Sequence, residues 1–103
     1  VRSRNEKNIF TLGNYHFDAE RLVLQFDSQS WNLTAREAQI LQLLCENRGE
    51  IVKRDDILEN IWGTSDFYTS RSLDVFIKKL RTYLSADPSI SIRTVKCVGL
   101  ILN

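Results

Sequence analysis

Methionine is missing from this 103-residue chain, histidine occurs once (His16), and the two cysteines, Cys45 and Cys97, lie far apart. Without an initiator residue the chain reads as a piece of a longer protein, its C-terminal part. A lone histidine and no CxxC pair give no ligand set for zinc or another metal. Two distant cysteines make no disulfide framework, so reduced thiols are expected. Four glycines without a glycine-rich phosphate loop, and no nucleophile beside a base, leave no catalytic constellation. The expectation is therefore a non-enzyme with no cofactor. No apolar run approaches the roughly 18 residues of a membrane span. No signal peptide is visible either, so a cytoplasmic location without membrane contact is expected.

What is present fits one small globular domain, with 43% hydrophobic and 26% charged residues. The formal net charge of +1 hides an uneven distribution. From position 68 onward Arg71, Lys78, Lys79, Arg81, Arg93 and Lys96 face only Asp74 and Asp87, a surplus of four positive charges. The rest has eight basic and eleven acidic residues, a net of −3. A basic C-terminal third suits docking to phosphates.

That third is dominated by YTSRSLDVFIKKLRTYLS, Tyr68 to Ser85. At 3.6 residues per turn, Leu73, Phe76, Ile77, Leu80, Tyr83 and Leu84 form an apolar stripe. Arg71, Val75, Lys78, Lys79 and Thr82 fall on the opposite side. A solvated face usually mixes signs, whereas Arg71, Lys78, Lys79 and Arg81 are opposed here by Asp74 alone. That bias suits a helix lying in the major groove of DNA.

Residues 1–8 are polar and aperiodic and read as a linker, leaving 9–103 as the domain. IFTL, YHF, RLVLQF and SWNL follow as β-prone runs separated by turn residues, predicting a four-stranded antiparallel sheet. Within RLVLQF, Leu22, Leu24 and Phe26 form one apolar face. Thr34-Ala35-Arg36-Glu37 is a capping box that opens a helix to about Asn47, with Gly49 supplying a left-handed exit. A second helix spans Arg54 to Trp62, with acidic residues in its first turn, and Gly63 stops it. Thr69 or Ser70 is the expected cap of the third helix, about 69–84. Pro88 prevents its continuation, and ISIRTV then alternates with period 2 before returning through Leu100 to Asn103 as a terminal hairpin. The fold class is α+β: a winged helix-turn-helix with three helices and a C-terminal β-hairpin wing, about 90–103.

From Ile9 to Asn103 the chain resembles the winged-helix effector domains of OmpR/PhoB-type response regulators. LTAREAQILQLLCENRGEIVKRDDILENIWG, RSLDVFIKKLRTYL and TVKCVGLIL carry the resemblance through their order and spacing. It implies sequence-specific binding of double-stranded DNA, with the third helix in the major groove and the wing at the minor groove. Ser72, Asp74, Val75 and Lys79 match groove-facing positions, Val75 suiting a thymine methyl and Lys79 a guanine edge. Trp62, Arg71, Lys78, Arg81 and Thr94 match positions at the DNA backbone, and Lys96 matches one in the minor groove. The resemblance further implies an upstream receiver domain, its sensor kinase, pairing as a dimer on repeated half-sites, and contact with RNA polymerase through the loop 63–70.

Two departures fall in the wing. Where the family usually reads Arg-Gly-x-Gly-Tyr, this chain has Lys96-Cys97-Val98-Gly99-Leu100. Cys97 replaces a glycine suited to positive φ, predicting an altered turn, and Leu100 lacks a tyrosine hydroxyl. Lysine at 79 and 96 also lacks arginine's planar fork. The competing readings are a winged-helix module for protein contacts and the effector domain of a membrane-anchored regulator.

Overall fold

Four short strands come first in the computed structural model: β1 Ile9–Leu12, β2 Tyr15–Asp18, β3 Val23–Phe26 and β4 Gln29–Asn32. The structure describes residues 9–103; residues 1–8, read above as a linker, lie outside the described residues. The strands form an antiparallel sheet in sequence order, with Phe10, Phe17, Leu24 and Trp31 in one cross-strand row. Alternation puts Leu12, Tyr15, Phe17 and Leu24 into the core. Leu22, expected on the same strand face, instead precedes β3 with a φ of 60° and is only partly buried.

Three helices follow this sheet in the chain: α1 Ala35–Glu46, α2 Arg54–Ile61 and α3 Phe67–Tyr83. The capping box of α1 forms as expected, with Thr34 Oγ1 accepting from Glu37 N and Glu37 Oε1 accepting from Thr34 N. For α3 the cap is Asp66, not Thr69 or Ser70, and Thr69 is its reciprocal partner three residues on. The connector is thereby shortened, because aspartate caps as well as a hydroxyl does.

Strands β6 Ile92–Val95 and β7 Gly99–Leu102 make the expected hairpin. The difference is β5, Ile51–Lys53, between α1 and α2, which pairs with β7 and makes a three-stranded sheet of order β5-β7-β6. A Cβ on Gly99 would overlap the Val52 carbonyl, so only glycine permits this pairing. At the wing turn Cys97 itself takes a φ of 65°. The glycine-like conformation is thus kept at position 97, contrary to the altered turn expected, at the steric cost of a Cβ there.

The winged helix-turn-helix is held by one core that joins both sheets and all three helices. Tyr15 ties the first sheet to the end of α3: its hydroxyl donates to Tyr83 O at 3.0 Å and accepts from Ala86 N at 3.1 Å. A 3₁₀ turn, Leu84–Ala86, follows α3. No helix among the described residues is long and apolar enough to cross a membrane.

Candidate nucleic-acid interface

The apolar stripe of α3 turns inward, with Leu73, Ile77 and Leu80 buried and Phe76 and Tyr83 packed at its margin. Arg71, Val75, Lys78, Lys79 and Thr82 are exposed on the opposite side. Val75 is 56% exposed, unusual for valine on a helix packed this firmly. An open depression on this face is lined by Arg71, Ser72, Asp74 and Val75, four of the positions singled out from the sequence. Among the described residues none covers Arg71, Lys78 or Lys79. Access for a groove-binding ligand is therefore unobstructed.

Several of these side chains have partners that bear on their roles. Asp74 Oδ1 is 2.7 Å from Arg54 Nη2, so its carboxylate is already paired. Arg54 also donates through Nη2 to Ser70 O at 2.9 Å and to Ser70 Oγ at 2.8 Å. Arg81 and Thr94, expected as separate backbone contacts, meet each other: Arg81 Nη2 donates to Thr94 Oγ1 at 2.8 Å and Nε to Ile92 O at 2.9 Å. Arg71 lies over the Phe67 ring at 5.5 Å and Lys79 Nζ at 6.0 Å from the Phe76 centroid. Stacking of this kind limits the freedom of long cationic side chains. Lys78 and Lys96 are exposed and have no carboxylate within salt-bridge distance among the described residues.

Trp62 caps α2 and packs against Phe76, with ring centroids 6.1 Å apart. Among the described residues its indole Nε1 has no acceptor, and no buried side-chain nitrogen or oxygen there lacks a partner. The Trp62 N–H therefore reaches solvent. Thr94 lies within β6 of the wing and Lys96 directly follows it, and an open cleft of about 420 Å³ runs between the start of α2 and the wing tip, lined by Arg54, Thr94 and Cys97 among others.

Arg54 and Arg36 were not singled out from the sequence, although each leaves a local signal. A cation in the first turn of a helix opposes the helix dipole. Arg54 opens α2 and Arg36 is the second residue of α1. Both misfits are resolved by tertiary partners, Asp74 for Arg54 and the Ile61 carbonyl for Arg36. Among the described residues no cluster of three or more His, Cys, Asp or Glu is placed to hold a metal.

Comparison with known proteins places these features in a family. Residues 28–102 match the family described as "Transcriptional regulatory protein, C terminal". Over 98 residues the chain is 36% identical to the transcriptional regulatory protein RprY of Bacteroides fragilis, covering 95% of this chain and 42% of that protein. The chain thus spans about two fifths of the length of this curated relative. Among solved structures, the response regulator DrrB, a Thermotoga maritima OmpR/PhoB homologue, superposes with a TM-score of 0.78 at 28% identity, over 99% of this chain and 47% of that one. The Klebsiella pneumoniae RstA DNA-binding domain, solved in complex with the RstA box, gives 0.75 at 25% identity, over 91% of this chain and 95% of that one. The chain belongs to the C-terminal domain family of transcriptional regulatory proteins, the winged-helix effector domains of OmpR/PhoB-type response regulators.

Proposed function

We propose that this domain binds double-stranded DNA in a sequence-specific manner, as the effector of a two-component transcription regulator. The observation that carries the reading is the two-sided character of α3: Leu73, Ile77 and Leu80 are buried while Arg71, Val75, Lys78 and Lys79 stand uncovered. In this reading Lys79 donates to a base edge and Val75 meets a thymine methyl, with Ser72 and the Arg54-paired Asp74 beside them. Trp62, Arg71 and Lys78 meet phosphates, Arg81 and Thr94 act together at the backbone, and Lys96 enters the minor groove. The RstA domain, solved with its DNA box, supports the reading by analogy of fold and sequence.

Phe67 and Tyr68, 66% and 79% exposed, stand at the start of α3 and give the loop 63–70 an apolar surface for RNA polymerase. An upstream receiver domain, controlled by a sensor kinase, promotes pairing of two copies on repeated half-sites in the cytoplasm. Selection of duplexes from a random pool, followed by titration of selected and random DNA at two salt concentrations, tests the core of the proposal. A selected-to-random affinity ratio well above unity is expected, together with a steep salt dependence. A ratio of one would overturn it and favour a module for protein contacts.

A further inference from the structure

A ladder of cations and rings crosses all three helices. The Arg36 guanidinium of α1 lies over the Trp62 ring, 4.7 Å from its centroid. Trp62 packs on Phe76 of α3 at 6.1 Å, and Phe76 lies under Lys79 Nζ at 6.0 Å. The ladder therefore starts at Arg36 and ends on the groove-facing side of α3. The Arg36 guanidinium is fixed at one edge by a 2.6 Å hydrogen bond from Nη1 to Ile61 O. That bond uses one nitrogen of three. Nε and Nη2 have no acceptor among the described residues, and since no buried nitrogen there is unpartnered, both reach water. No carboxylate lies within 4.0 Å of Arg36 among the described residues. The Trp62 indole, whose N–H has no acceptor among the described residues, stacks against this guanidinium.

Two donors from different helices, one cationic and one neutral, held in stacked register with unused N–H groups, match the needs of a single phosphodiester. A guanidinium anchored at one edge presents its other edge in a fixed plane, suited to an oxygen pair on phosphorus. We propose that Arg36 and Trp62 together form a phosphodiester-binding pair, gripping a backbone phosphate beside the groove that α3 enters. The inference rests on the DNA-binding reading above and adds Arg36 to it. Arg36 also satisfies the end of α2, so its loss has a structural component that any test must separate from phosphate binding.

The test uses a duplex selected on the wild-type protein, prepared as a series with one uncharged methylphosphonate at each backbone position in turn. The wild-type chain is expected to lose about three- to tenfold in affinity at each gripped phosphate. Arg36→Ala should lose affinity on the unmodified duplex, lower the salt slope by about 0.9, and become insensitive to methylphosphonate at one position. Arg36→Gln, which retains a donor near Ile61 while removing the charge, should behave likewise and carries the test if the alanine variant fails to fold. An identical methylphosphonate profile for wild type and the folded variants, with an unchanged salt slope, overturns the proposal while leaving the DNA-binding reading intact. A wild-type chain that binds no duplex overturns both.

Discussion

Arg81 and Thr94 join α3 to the wing, through a 2.8 Å bond from Nη2 to Oγ1 supported by Nε on the Ile92 carbonyl. Their contact adds a link from α3 to the β5–β7 pairing that already holds the wing. Thr94→Val keeps the shape and removes the acceptor, and is expected to cost about 0.5–1.5 kcal/mol in urea unfolding. It should also weaken protection on the wing side of a DNA footprint more than in the centre. Unchanged unfolding and an unchanged footprint would show that the two elements are held by other contacts.

Lys79 is expected to discriminate bases. Lys79→Ala should cost about 1–3 kcal/mol on a selected duplex and relax the preference at one base pair. Lys79→Arg should sharpen preference for guanine there, since a planar fork replaces a point charge. Binding-site selection with each variant measures both effects. Equal losses on selected and random DNA would remove Lys79 from base readout.

Tyr15 gives the fold an alkaline limit. Burial raises its phenol above the usual value of 10.0, against the lowering effect of backbone hydrogen bonds. A group whose pKa is raised on folding contributes stability that is fully present below its unfolded pKa, about 10, and is lost as pH rises through the folded value. Tyr15→Phe should therefore flatten part of the stability loss above pH about 10, and cost about 0.5–1.5 kcal/mol at neutral pH by leaving Tyr83 O and Ala86 N without their partner. Tyr83, also raised by burial, retains its share of the alkaline loss. Urea unfolding across pH for both proteins is the measurement, and parallel curves above pH about 10 would count against the assignment.

The two thiols should differ sharply in reactivity. Burial pushes Cys45 up to about 12, whereas Cys97 is exposed at the wing turn. A thiol reagent at pH about 8 should titrate one group in the native protein and the second only on unfolding. Cys97→Gly should raise the melting temperature, because left-handed strain of about 1–2 kcal/mol exceeds the entropic cost of glycine, about 0.5–1 kcal/mol. Two fast thiols, or a lower melting temperature for the glycine variant, would contradict these expectations.

Much of this architecture was legible because its signals are local. Period-2 runs and turn residues located β1 to β3, and the reciprocal bonds of Thr34 and Glu37 marked the start of α1. What escaped is tertiary. Ile51-Val52-Lys53 is too short to declare itself a strand, and becomes one only because β7 lies alongside. Asp66 and Thr69 are both good cap residues, and which takes which role depends on where the connector ends. The α3 face was readable from helical periodicity, whereas the pairings of Asp74 with Arg54 and of Arg81 with Thr94 span 20 and 13 residues and leave no periodic trace.

The lacing of β7 between β5 and β6 has a temporal consequence. The middle strand of that sheet is the last of the three to leave the ribosome, so neither neighbour can find its register beforehand. The three-stranded sheet is therefore expected to form only after β7 is available. A nascent chain arrested upstream of Gly99 should expose its unpaired strands to chaperones, and present no competent DNA reader until β7 emerges.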